Sequence, residues 1–348
     1  MQYASFNTKY VCGVDLHGNT IYACIMRKDG SIVLHKEIPS DAKQFMALIK
    51  HYRGDITICC ESTFNWYWLS DLCDDNGIPF VLGHALYMKH IHGGKTKDDA
   101  IDSRKLADLL RTNLFPLAYA YPREMREVRD LNRRRIKFVN QHAALARHIK
   151  MLLYQQGHHD LPSRLVTGKD IRKHVFAYKV SPSVAMSIEY NLDLMDKLDE
   201  LTAKIEWQTK KQARHFDSHS YALLGTVKGL GPVLSSIILY ETHTVERFKT
   251  AQRYSSYARV VKIDRSSANH RLAPKNSKIG NPYLRWAFGQ LAASAQRFYP
   301  EIKTFMEKLV RQIGTKRAHA RLSHKFAVVI YYMLKNKEPF DVTRFVQA

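Results

Sequence analysis

Residues 123–157, REMREVRDLNRRRIKFVNQHAALARHIKMLLYQQG, contain no glycine or proline before the final Gly157 and repeat apolar side chains at helical intervals. Such a run predicts one long basic helix, and that helix divides the chain. Beyond a Pro- and Gly-punctuated stretch from Leu161 to Gly168, the segment Val184 to His215 is again helical and polar and ends in KKQARH. The two long segments are expected to pair as an antiparallel coiled coil, although their heptads are imperfect. Three parts follow: an α/β domain over 1–118, a basic helical coiled-coil connector over 119–216, and a mainly α-helical domain over 217–348.

The charge narrows the partners. Lys and Arg total 54 against 32 Asp and Glu, a net +22 in a chain of 348 residues that is otherwise ordinary for a folded protein, with 45% hydrophobic residues. A field of that sign favours polyanions, with nucleic acid foremost. A membrane surface would need an apolar anchor, yet the run Phe326 to Leu334 is too short to span a bilayer and MQYASFNTKY lacks a signal core. A cytoplasmic location without membrane contact is therefore expected. The five cysteines, Cys12, Cys24, Cys59, Cys60 and Cys73, show no CxxC spacing and read as small core residues in a reducing compartment.

In the first domain the acids stand out because of what precedes them. VCGVD is an apolar strand ending in Asp15, and ITICCE is a second ending in Glu61; a lone carboxylate facing a sheet is costly unless it is paired or binds metal. KTKDDAIDSRKLADLL opens a helix on which Asp99 and Asp102, three apart, share a face. Four converging carboxylates repel unless cations lie between them, the arrangement that holds two Mg²⁺ (or Mn²⁺) ions for phosphoryl transfer. Structural readings stay open for each: first-turn acids favour a helix N-terminus, Asp15 reads equally as a turn residue, Glu61 as a surface strand end, and Asp98 is an alternative to Asp99. His17, two residues past Asp15, reads either as a group orienting water or phosphate or as an ordinary turn histidine. Lys95 and Thr96 read as phosphate neighbours or loop residues.

Further along, Arg133, Arg134 and Arg135 are either a solvated face or nucleic-acid contacts. Gly229-Leu230-Gly231 in LLGTVKGLGPVLSSIILYE lies between two helical runs, as in a helix-hairpin-helix whose backbone N–H groups hold a phosphate; Gly-rich turns of this kind are also commonly structural. DLHGNT has the look of the phosphate hairpin of an actin-like kinase, but the positive charge and missing adenine-site glycine loops weigh against that reading.

Taken together, GVDLH, CCES and KTKDDAIDSRKLA resemble the RuvC-like (RNase H-like) first domain of the Piv/MooV-type DEDD insertion-sequence transposases, recombinases described as guided by a bridge RNA. KGLGPVLSSIILYE and RSSANHRLAPKNSKIGNPYLRWAF resemble that family's second, transposase domain, with its serine-bearing loop and Ser-Lys-x-Gly-Asn and Leu-Arg elements. The resemblance implies a composite site of metal-binding acids and a nucleophilic serine, Ser267, with Ser266 as runner-up. Ala268 stands where the family has glycine, and ARVVKIDR replaces its usual Gly-Leu-x-Pro stretch. Lys278, Asn281 and Arg285 are then expected at DNA or at the reacting phosphate. Donor and target DNA, a guide RNA and a homodimer or homotetramer are the implied partners. The competing readings are a RuvC-like nuclease or junction resolvase using water as nucleophile, and a non-catalytic nucleic-acid-binding descendant.

Overall fold

The computed structural model describes residues 2–91, 98–163, 165–166, 170–261, 265–267, 270–272 and 279–347, with backbone alone at 89–91, 265–267 and 270–272. It divides into two compact units, Met1–Arg123 and Glu124–Ala348.

The first unit is a mixed five-stranded sheet with helices on both faces, compatible with the RNase H-like expectation. Its strands are β1 (Tyr10–Leu16), β2 (Thr20–Arg27), β3 (Ile32–Pro39), β4 (Ile56–Glu61) and β5 (Phe80–Gly83), in the order β3-β2-β1-β4-β5. The pairs β1/β2 and β2/β3 are antiparallel, whereas β1/β4 and β4/β5 are parallel. The helices are α1 (Ala42–Leu48), α2 (Trp66–Asp75), α3 (Ala85–Ile91) and α4 (Asp99–Arg111). Buried on both faces, β1 and β4 carry continuous apolar runs rather than alternating ones.

Side-chain alternation sorts these strands into two cores. Cys12, Val14, Leu16, Ile58 and Cys60 face a cluster that includes Phe45 of α1 and Leu69 of α2. Val11 and Cys59, of the opposite parity, face Leu106, Ala107 and Leu110 of α4. Parity therefore assigns Asp15, His17 and Glu61 to the side of the sheet that α4 covers.

The approach of α4 is set by Gly13. A Cβ on Gly13 would lie 2.3 Å from both the Ala107 nitrogen and the Ser103 carbonyl oxygen, so only glycine lets the helix backbone rest on β1 at this point. The neighbouring His35 on β3 fixes the same turn of α4: its Nε2 lies 2.9 Å from the Ala100 carbonyl oxygen and 3.1 Å from Ser103 Oγ. Gly13→Ala is expected to destabilise the unit by about 1–3 kcal/mol, the range for overpacking a closed core, because the obstacle is backbone and cannot rotate away. A chemical-denaturation midpoint unchanged from wild type would contradict this.

All five cysteines are buried and free of disulfides. Burial pushes Cys24 up to about 11 and Cys73 up to about 12, and drives Cys12, Cys59 and Cys60 well above the ordinary thiol value.

The second unit is helical: α5 (Arg123–Gln155, its first residue closing the first unit), α6 (Ile171–Val175), α7 (Pro182–Phe216), α8 (Ser218–Gly225), α9 (Pro232–Thr242), α10 (Ala251–Tyr257), α11 (Pro282–Ser294), α12 (Pro300–Ile313), α13 (Thr315–Asn336) and α14 (Val342–Gln347). A short hairpin, β6 (Arg265–Ser267) with β7 (His270–Leu272), pairs Ser267 with His270. The long basic run is one helix as expected. Its partner α7 starts two residues before the expected Val184, with Pro182 in the first turn where its missing N–H costs nothing.

The two long helices run antiparallel. As α5 advances through Arg135, His142 and His148, its partners on α7 recede through Glu206, Asp199 and Asn191. Ile149 and Leu153 meet Ile188, Leu192 and Met195 in a shared core. This pair belongs to the same compact unit as the C-terminal helices. At its centre lies α9, whose residues Ser235–Thr242 are all buried. Among the described residues no helix is long and apolar enough to cross a membrane.

Candidate functional site

The parallel pairing of β1 with β4 ends at Val14, and the next residue, Asp15, still paired with Tyr22 of β2, has only 18% of its side chain exposed. His17 follows at the mouth of the β1–β2 turn, on the same face by parity. Its Nε2 lies 3.3 Å from Asp15 Oδ2 and 3.2 Å from Asp99 Oδ1. One ligand atom from each of Asp15, His17 and Asp99 falls within 4.8 Å of the others, a group able to hold a metal ion.

Burial raises the Asp15 carboxyl above its ordinary range; His17 opposes this, while Asp99 and Asp102 add to it. Crowding of like charges around a half-desolvated carboxylate is what a bound cation relieves, and two carboxylate oxygens with an imidazole nitrogen are a donor set that divalent metals accept. The residues present therefore fit a divalent ion.

Glu61 and Asp102 are not part of that three-residue group, and register and helix geometry give their positions. The parallel β1/β4 ladder pairs Val14 with Cys60, so Asp15 and Glu61 are each the next residue on adjacent strands. Asp102, one helical turn beyond Asp99, is near enough to act on the charge of Asp15 and makes a 3.2 Å ion pair with Lys105. Asp98 instead caps α4, accepting from the Ala100 N–H at 3.1 Å. Between the two aspartates offered by the sequence, the geometry brings Asp99 to Asp15 and leaves Asp98 on the helix backbone. Lys95 and Thr96 lie outside the described residues.

In the second unit the polar chemistry centres on a residue that sequence reasoning did not single out. Glu241, on α9, is 1% exposed. It accepts from Arg133 Nε at 2.6 Å and Nη2 at 2.9 Å, from Arg129 Nε at 2.8 Å, and from Asn281 Nδ2 at 2.7 Å. Burial alone would raise its carboxyl, but Arg133 and Arg129 outweigh that and hold it below the usual range. A nearby neutral pair, Asn132 and Ser236, ties α5 to α9 again at 3.1 Å.

This network changes the reading of several residues expected at nucleic acid. Arg133 is engaged by Glu241 and stacks over Tyr283, 4.5 Å from the ring centroid. Arg135 pairs with Glu206 at 2.8 Å across the helical pair. Asn281 is 3% exposed and caps α11, its Oδ1 accepting from Tyr283 and Leu284 N–H groups at 2.9 and 3.1 Å. Gly229 sits at φ +98°, and a Cβ there would lie 3.0 Å from the Ala295 nitrogen, so turn geometry and close packing account for it. Gly231 is the N-cap of α9, with open space around its Cα. Arg134 and Arg285 remain exposed. The backbone of Ser266 and Ser267 lies in β6, while Lys278 lies outside the described residues. On either side of the hairpin in sequence, Arg259 Nε donates to the Ile279 carbonyl at 2.8 Å, and Asn281 N–H donates to the Tyr257 carbonyl at 2.6 Å.

Comparison with known proteins agrees with both units. Residues 12–157 match the model of the IS110-type DEDD transposases, described as a transposase, and residues 221–307 match the model described as the transposase IS116/IS110/IS902 family. A probable family 20 transposase of Pseudomonas aeruginosa (strain PAO1) is 22% identical over 221 residues, covering 63% of this chain and 64% of the relative, just under two thirds of its length. The two matched segments are thus those of a transposase. More narrowly, the chain belongs to the IS110-type DEDD transposases.

Proposed function

We propose that the chain cuts and rejoins DNA strands at the ends of an insertion sequence, guided by a bridge RNA, as a homodimer or homotetramer. The observation that carries the reading is the meeting of Asp15, His17 and Asp99 at the end of β1, from elements more than eighty residues apart in sequence. Asp15, Asp99 and His17 would hold Mg²⁺ or Mn²⁺, with Glu61 and Asp102 completing a site for two ions. The metal supplies Lewis acidity, polarising a phosphoryl oxygen and lowering the pKa of an attacking hydroxyl.

Ser267 is the proposed nucleophile. Its Oγ loses a proton and forms a bond to phosphorus, while the bond from phosphorus to one strand oxygen breaks and that oxygen leaves as a hydroxyl. The resulting phosphoserine conserves a phosphodiester-like bond, so a second strand's hydroxyl can displace the serine without an external energy source. Water as nucleophile would lack that reversibility, which distinguishes recombinase from nuclease.

Purified protein incubated with Mg²⁺, donor and target DNA, and RNA transcribed from the flanking non-coding DNA is expected to give joined strands and a covalent protein–DNA species that Ser267→Ala abolishes. Free cut ends with no covalent species would replace this reading with that of a nuclease.

A further inference from the structure

A groove of about 400 Å³ opens in the second unit, lined by Asp130, Arg133, Arg134, Ile136, Lys137 and Asn140 of α5 and by Tyr283 of α11. The α5 residues recur at three- and four-residue intervals, so one helical face supplies them all. Two features make this more than a stretch of basic surface. Its inner wall is preorganised: buried Glu241 holds both the Arg133 guanidinium, which stacks on Tyr283, and Asn281, whose Oδ1 fixes the Tyr283 backbone. Its outer residues Arg134, Lys137 and Asn140 are exposed, presenting cations and an amide to solvent.

From this geometry we infer that the groove binds an unpaired nucleotide of a single-stranded nucleic acid, its base against the Arg133–Tyr283 wall and its phosphate at Arg134 and Lys137. A planar guanidinium stacked on an aromatic ring offers a flat surface that any base can lie against, the usual means of holding single strands without reading sequence. The volume is that of a small-ligand cleft, which accepts one nucleotide rather than a duplex. Because Glu241 takes up the Nε and Nη2 donors of Arg133 from within, contact with phosphate falls to Arg134 and Lys137. The inference rests on the proposed nucleic-acid function and names the form of strand it takes.

The test is fluorescence anisotropy with labelled oligo(dT), oligo(U) and a duplex of equal length, using the full chain. Tyr283→Ala is expected to weaken single-strand binding roughly tenfold and duplex binding less than about twofold, with Tyr283→Phe retaining wild-type affinity. The double variant Arg134→Ala/Lys137→Ala, at exposed positions that leave folding intact, is expected to weaken single-strand binding and lower its salt slope by about one to two. A preference between oligo(dT) and oligo(U), which differ in the 2′-hydroxyl and in the thymine methyl, sustains the site in either direction. Equal losses on single strand and duplex with Tyr283→Ala, or unchanged single-strand affinity in the double variant, would overturn the inference while leaving the recombinase reading intact. Wild-type protein that binds none of the three probes would end both.

Discussion

Glu241→Ala is expected to cost the second unit about 3–5 kcal/mol, the range for removing one partner of a buried ion pair and leaving the other charged and desolvated. Two guanidinium groups would be stranded at once: Arg129 and Arg133 have only 12% and 28% of their side chains exposed, and Asn281 would lose its amide partner. Glu241→Gln tests the charge apart from the shape. Its cost should be smaller, since a neutral amide can still accept from one arginine. The pH dependence has a definite sign. The folded-state carboxyl lies below its ordinary value, so its stabilisation is fully present above the unfolded glutamate value near about 4.3 and fades as pH falls through the folded value. Urea denaturation at neutral pH and in acid should therefore show the gap between wild type and Glu241→Gln closing in acid. A gap of constant size across that window would show that the carboxylate's charge is not what holds α5, α9 and α11 together.

Asp15→Asn is expected to reduce DNA strand cleavage by about a thousandfold, corresponding to several kcal/mol of transition-state charge stabilisation lost with the metal. The substitution keeps the shape of the side chain and removes its charge. Because burial and the neighbouring acids already raise the Asp15 carboxyl, removing that charge relieves repulsion, and the metal-free fold should be no less stable than wild type. Cleavage activity and the thermal midpoint of metal-free protein are thus expected to part company, activity falling while stability holds. Activity within tenfold of wild type would exclude Asp15 from the chemistry.

Much of the first unit was legible because its signals are local. An apolar run that ends in a carboxylate marks a central strand edge, and Asp99 and Asp102 three apart mark one helical face. Which aspartate turns toward the sheet was not legible: Asp98 and Asp99 differ only in helical phase, and the choice follows from where α4 begins, with Asp98 spent as its cap. His17 carried a usable signal in its two-residue spacing from Asp15, which places both on one face, but a turn histidine is common enough to hide it. Gly13 gave no hint of its role, since the need for a missing Cβ arises only when α4 comes down on β1.

The second unit hid more. Arg133, Arg134 and Arg135 are indistinguishable along the chain, yet helical rotation sends one to a buried carboxylate, one to solvent and one to the facing helix. Glu241 lies more than a hundred residues from Arg129 and Arg133 in sequence, and nothing short of the folded packing reveals that α9 brings it to both. Asn281 was expected at DNA from the family resemblance of its segment; its burial as a cap depends on α9 as well.

All of the chain's thiols reside in the first 123 residues, buried on β1, β2, β4 and α2. A thiol-reactive dye added to native protein therefore reads the opening of the first unit alone. The helical half contributes no signal of its own, so loosening of one half can be followed without interference from the other, with no label engineered into the chain.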